Sequence, residues 1–175
     1  MKQALLIVDV QPSFPVSREI IQEIRELSAR LPSVATVERH DESATPFETQ
    51  LGWKPGKTDE SLIPADRIFI KHGYLPPVAA VEYLRGLRMD RILVCGTQAD
   101  TCVLAAGFAL FDAGLYPTLL KWLTVGSSLD RSGTLGARHF GGVLEDCDQL
   151  GLPEFAKSSG KLAQRNQRCR HRCLS

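Results

Sequence analysis

Three side chains of contrasting chemistry stand at comparable places along this chain. Asp9 closes the apolar run Ala4-Leu5-Leu6-Ile7-Val8, Lys71 follows Ile68-Phe69-Ile70, and Cys102 opens the apolar stretch that begins at Val103. A carboxylate, an ammonium and a thiol brought into one pocket make a nucleophilic site. The thiolate is the reactive form of cysteine, and both a neighbouring Lys⁺ and the positive end of a helix favour it. Asp9 is then expected to take the thiol proton, hold Lys71 and return a proton to the leaving group. Each residue alone has a plain reading as a strand-end ion pair, a surface lysine or an inert core thiol. Cys95 is the better example of the last.

The elements that must position these groups are read from hydrophobic patterning. Residues 4–10 form a near-continuous apolar run, as in a strand buried on both faces of a parallel sheet. Residues 17–31 place Ile20, Ile21, Ile24, Leu27 and Leu31 on one helical face. Strands are expected at Val34–Val37, Arg67–Ile70, Arg91–Cys95 and Tyr116–Leu120, with a last strand near 142–145. Helices are expected at Pro77–Leu87, with Val78, Val81, Leu84 and Leu87 inward, at Thr101–Ala113, apolar enough to be buried, and near 131–140. This alternation predicts an α/β fold, a three-layer α/β/α sandwich around a mostly parallel sheet of about six strands. Such sheets bind ligands at the carboxyl ends of their strands, where Asp9, Lys71 and Cys102 fall.

A length of 175 residues suits one domain, here 1–152, with a core that needs no disulfide or structural metal. The formal charge of +1 gives no electrostatic footprint for nucleic acid. It conceals a basic tail, 153–175, with six Lys/Arg against Glu154 alone; that composition points to poor order or docking on a neighbour. Within it, Cys169, His171 and Cys173 stand among arginines and make a poor metal set. No apolar N-terminal run follows a basic segment and no span suits a bilayer, so a cytoplasmic location with reduced thiols and no membrane partner is expected.

Residues 39–66 contain no clear helix or strand, and loops of that length are usually functional. This one carries Phe47, Leu51 and Trp53. They fit a lid over the strand ends, a contact between subunits of a homo-oligomer, or a loop pinned by its own apolar cluster.

Leu6-Ile7-Val8-Asp9-Val10-Gln11, Lys71 after a strand, and Gly96-Thr97-Gln98-Ala99-Asp100-Thr101-Cys102-Val103 together resemble the isochorismatase-like cysteine hydrolases, which include nicotinamidases and carbamoyl-amide hydrolases. The resemblance implies a catalytic triad of Asp9, Lys71 and Cys102. It also implies a cis peptide at Thr97–Gln98 and an oxyanion hole made by the backbone N–H groups of Gln98 and Cys102. Gln11, Phe14, His40, Trp53 and Tyr74 are the candidate substrate contacts, although His40 reads equally as a loop-ordering or exposed histidine. His72 and His139 read as structural. The chain departs from the family pattern at Leu119-Leu120-Lys121-Trp122-Leu123, where members often have an Asp after the fifth strand. It departs again at His72-Gly73-Tyr74-Leu75-Pro76, which lacks the usual small-residue–Phe pair. Nicotinamidases carry an Asp and His metal cluster after the second strand. Here Arg39-His40-Asp41 is followed by no His before His72, so neither a catalytic metal nor a cofactor is expected.

The expected activity is cleavage of a C–N bond in a small amide or carbamoyl compound through a Cys102 thioester. Isochorismatase-type vinyl-ether hydrolysis is the alternative within the enzymes, and a catalytically silent oligomeric binding protein the alternative outside them. A nucleotide-binding module is disfavoured, because Gln11-Pro12-Ser13-Phe14 stands where a Gly-rich phosphate turn would follow the first strand.

Overall fold

The computed structural model describes residues 1–127 and 132–151; the basic tail and its cysteines lie outside the described residues. Six strands form one sheet: β1 (Gln3–Val8), β2 (Ser33–Glu38), β3 (Arg67–Lys71), β4 (Arg91–Thr97), β5 (Pro117–Val125) and β6 (Gly142–Leu144), in the order β3-β2-β1-β4-β5-β6. Every pairing is parallel. Strand order reverses between β1 and β4, so the crevice at their carboxyl ends is the switch point of a doubly wound sheet.

The central strands explain the long apolar runs. Residues Ala4 to Val8 are all buried because alternate side chains enter two different cores. One core joins Leu5, Ile7, Leu93 and Cys95 to Ile24 and Leu27 of α1 (Arg18–Ser28). The other joins Ala4, Leu6, Val8 and Val94 to Leu84 of α3 (Val78–Gly86) and to Val103, Ala106 and Leu110 of α4 (Cys102–Asp112). Ser17 caps α1 by accepting from the Ile20 amide, and Ile24 and Leu27, fully buried, each contribute roughly 1.5–3 kcal/mol. The result is the three-layer α/β/α sandwich.

Several local expectations change. The loop 39–66 contains a short helix, α2 (Phe47–Leu51). Val78 is exposed, and α3 buries Ala80 in its place beside the expected Leu84. On the apolar α4, Phe108 and Phe111 face outward, because a helix on the outer layer of a sheet covers only one of its sides. The fifth strand does not end at Leu120. It continues through Lys121-Trp122-Leu123 with a register shift, Val94 pairing with Leu119 but Gly96 with Thr124. A further short helix, α5 (Thr134–Ala137), lies within the helix expected near 131–140.

Candidate active site

Asp9 is the first residue beyond β1 and has a positive φ of 53°, a conformation Asp tolerates better than most side chains. Its backbone is fixed on both sides: its N–H donates to Thr36 O of β2 at 3.1 Å, and its carbonyl accepts from the Thr97 hydroxyl of β4 at 2.8 Å. Gly96 makes this approach possible. Its φ is +117°, and a Cβ there would overlap the Val8 carbonyl.

Lys71 ends β3 opposite Glu38, the last residue of β2. Cys102 is the first residue of α4. The turn before it contains the cis Thr97–Gln98 peptide. That turn is held by the amides of Thr101 and Val103, both donating to Gln98 O, and by Asp100, whose carboxylate accepts from the amide and hydroxyl of Ser127 at 2.8 and 2.6 Å. Gly136 of α5 packs on this turn so closely that a Cβ would strike the Ala99 carbonyl.

The three expected residues meet. Lys71 Nζ lies 2.8 Å from Asp9 Oδ2, an ion pair off the hydrogen-bond direction, and it donates to Cys102 Sγ at 3.4 Å and to Gly73 O at 2.6 Å. Asp9 Oδ1 accepts from the Thr36 hydroxyl at 2.8 Å. A fourth group completes the cluster and was missed from the sequence. Glu38 Oε2 accepts from Lys71 Nζ at 2.9 Å and from the Cys102 thiol at 3.2 Å. All four residues are buried, none more than 4% exposed. The signal for Glu38 is an acid at a strand end beside β1, the same signal that marks Asp9; it was passed over because the apolar run of β2 stops at Val37.

Charge burial sets the protonation states. Burial raises the Glu38 carboxyl above its ordinary range; Lys71 opposes this and Asp9 adds to it. Burial works against the Lys71 ammonium, yet Asp9, Cys102 and Glu38 outweigh it and hold the lysine above its usual range. Burial and the Asp9 carboxylate push the Cys102 thiol well up, against the pull of Lys71. The resting cysteine is therefore a thiol. A resting thiolate, expected from Lys71 alone, is overruled by desolvation and two carboxylates.

The five candidate substrate contacts separate. Phe14, Trp53 and Tyr74 join Phe47 in one aromatic chain: Phe14–Trp53 centroids are 5.6 Å apart, Trp53–Phe47 6.0 Å and Phe47–Tyr74 5.4 Å. Phe47 is buried, whereas Trp53, Tyr74 and Leu51 remain substantially exposed. The electrostatic influence of Cys102 and Glu38 reaches Tyr74, whose hydroxyl is raised chiefly by burial. Gln11 serves the scaffold. Its amide oxygen accepts from Glu38 N at 2.8 Å, and its amide nitrogen donates to Glu38 O at 2.8 Å and to Asp59 at 2.9 Å. His40 is buried with Nε2 3.4 Å from Glu42 and Nδ1 without a hydrogen-bond partner among the described residues. An open polar cleft beside it, lined by Arg39, Asp41, Lys57 and His72 among others, contains none of the four clustered residues.

No protein-family model matches the chain, and no curated protein matches it. Solved structures do share its fold. N-carbamoylsarcosine amidase from Thermoplasma acidophilum superposes with a TM-score of 0.67 at 19% identity, covering 84% of this chain and 99% of that one. An isochorismatase-like hydrolase from Alkaliphilus metalliredigens gives 0.67 at 16% identity, covering 82% and 94%. Pyrazinamidase of Pyrococcus horikoshii, in complex with zinc, gives 0.67 at 21% identity, covering 83% and 100%. The chain thus has the three-layer α/β fold of the isochorismatase-like hydrolases.

Among the described residues, neither cluster of possible ligands fits a bound cation. Asp9, Glu38 and Cys102 approach one another, but the Lys71 ammonium contacts all three. His40, Glu42 and Glu48 also lie close together. Both Glu42 oxygens, however, accept backbone amides, from Glu48 and Thr49, and Glu48 pairs with Lys54 at 2.6 Å. Among the described residues no helix is long and apolar enough to cross a membrane.

Proposed function

We propose that this chain is a cysteine hydrolase that cleaves the C–N bond of a small amide or carbamoyl compound, with Asp9, Lys71 and Cys102 as its catalytic core. The observation that carries this reading is the buried contact of Lys71 Nζ with both Cys102 Sγ and Asp9 at the switch point of the sheet. The fold shared with amidases agrees with it.

In this reading a substrate carbonyl meets Cys102 Sγ and a carboxylate of the cluster accepts the thiol proton. Lys71 stabilises the thiolate as it forms. The family resemblance assigns the oxyanion to the amides of Gln98 and Cys102, in the turn where the Thr101 and Val103 amides donate to Gln98 O. The protonated acid gives its proton to the departing nitrogen, and water hydrolyses the thioester. Trp53 and Tyr74, part-exposed on the aromatic chain, serve as substrate contacts in this reading. A homo-oligomer in which the exposed Leu51 and Trp53 meet a second copy fits the same surface. Vinyl-ether hydrolysis is disfavoured, because it leaves the Lys71–Cys102 contact without a use.

The test is ammonia release from nicotinamide, pyrazinamide and N-carbamoylsarcosine, with Cys102→Ala as control. Turnover that survives in Cys102→Ala refutes the thioester route.

A further inference from the structure

We propose that Glu38 is a catalytic residue of this site: it takes the proton of the Cys102 thiol and delivers it to the leaving nitrogen, while Asp9 serves as the fixed counter-charge of Lys71. The inference rests on the cysteine-hydrolase reading and assigns the proton within it.

Geometry separates the two carboxylates. The Cys102 thiol donates to Glu38 Oε2 at 3.2 Å, and its hydrogen bond does not go to Asp9. Asp9 Oδ1 accepts from the Thr36 hydroxyl, its Oδ2 contacts the Lys71 ammonium without a hydrogen bond, and its backbone is tied to β2 and β4. Glu38 is clamped at its backbone, where Gln11 holds both the N–H and the carbonyl. Its side chain shares one oxygen with Lys71 and Cys102. The other, Oε1, is buried, like Asp9 Oδ2, with no hydrogen-bond partner among the described residues. The charged or titratable groups around Glu38 are Lys71 from β3, Asp9 from β1, Cys102 from α4 and Tyr74 beyond β3.

The charge count supports the same assignment. Two carboxylates, one ammonium and a neutral thiol carry one net negative charge. Moving the thiol proton to Glu38 leaves that total unchanged, whereas releasing it to water would add a second uncompensated buried charge. The raised affinity of Glu38 for protons favours it as the recipient. In the full cycle the S–H bond breaks, Glu38 gains the proton and sulfur bonds the carbonyl carbon. The C–N bond then breaks as the proton passes from Glu38 to nitrogen. Water adds to the thioester and gives a proton to Glu38, which returns it to sulfur as the C–S bond breaks.

Alkylation of Cys102 by iodoacetamide, followed against pH with peptide mapping, tests this without a known substrate. An internal acceptor makes the wild-type rate level off over the range in which one proton is shared between Glu38 and Cys102. Glu38→Gln is expected to abolish that plateau, so that the rate climbs about tenfold per pH unit up to a single thiol pKa, and Asp9→Asn is expected to keep it. Glu38→Asp, which retains a carboxyl on a shorter arm, should show a plateau at least ~10-fold slower, and it serves if the Gln variant does not fold. A plateau that survives in Glu38→Gln, one that vanishes in Asp9→Asn, or one unchanged in rate in Glu38→Asp overturns the assignment. A folded wild type in which Cys102 cannot be alkylated overturns both this assignment and the hydrolase reading. A plateau lost only in Glu38→Gln, in a protein that releases no ammonia from the three amides, upholds the proton transfer and counts against amide hydrolysis alone.

Discussion

Lys71→Met removes the only cation in a buried cluster that holds two acids. Nζ lies 2.8 Å from Asp9 and 2.9 Å from Glu38, and all three residues are essentially out of solvent. Without it, at least one carboxyl group must stay protonated in the folded state. Its folded pKa then exceeds the unfolded value of about 4, the folded variant binds more protons than the unfolded chain, and stability falls as pH rises above about 4. The slope is about 1.4 kcal/mol per unit for one proton, so a carboxyl still neutral at pH 7 costs about 4 kcal/mol there and only about 1.4 kcal/mol at pH 5. The first figure falls within the ~3–5 kcal/mol lost when one partner of a buried pair is deleted. Urea unfolding of wild type and Lys71→Met at both pH values measures the difference. The same destabilisation at pH 5 and pH 7 would refute the reasoning, since the loss would then come from packing and not from stranded charge.

Cys102→Ala should abolish ammonia release yet cost only about 1 kcal/mol in urea unfolding, because the deleted group, though buried in the α4-side core, is a single sulfur atom. In the folded protein iodoacetamide should modify Cys102 before Cys95, whose thiol is fully buried in the α1-side core and pushed far up by desolvation; peptide mapping decides. Gly96→Ala should cost at least ~1–3 kcal/mol in urea unfolding, because its Cβ meets the Val8 carbonyl and its φ is positive. Gly86→Ala, at the end of α3 with open space around its Cβ, should instead gain up to ~0.5–1 kcal/mol.

Asp9 and Lys71 were legible because each ends an apolar run that fixes a strand, and Cys102 because it opens an apolar run that fixes a helix; topology then brings these ends together. Glu38 obeys the same rule. It was lost because β2 pairs through to its sixth residue, one position past the last apolar side chain, and pairing with Lys71 is invisible in a linear pattern. Gln11 was legible as a residue near the site but not in its role, because its partners Glu38 and Asp59 are 27 and 48 positions away. The outward-facing Phe108 and Phe111 show the opposite limit. An apolar helix reads as buried all round, while its actual exposure depends on how many layers lie outside it. The chain of Phe14, Trp53, Phe47 and Tyr74 was foreshadowed only in part: the loop's apolar residues needed a cover, but Tyr74 is reached across a gap that no local spacing encodes.

A thiol held well above its ordinary range looks at first like a poor nucleophile, and Lys71 beside it like a failed activator. The buried charge balance reconciles the two. Were the thiolate permanent, the cluster would hold three negative groups against one ammonium, a cost the interior does not bear without further partners. A thiol that ionises only by passing its proton to a neighbour keeps the sum constant and forms the nucleophile only as a carbonyl carbon arrives to take up the sulfur's electrons. The lysine then acts on the transition state more than on the resting state, which is where stabilisation raises the rate. The same arrangement keeps Cys102 less prone to oxidation between turnovers, because oxidants attack thiolates. Two acids around one lysine are therefore a consistent solution: Asp9, anchored through Oδ1 to Thr36, supplies fixed counter-charge, and Glu38, on a longer side chain, accepts the hydrogen bond of the thiol and can take its proton.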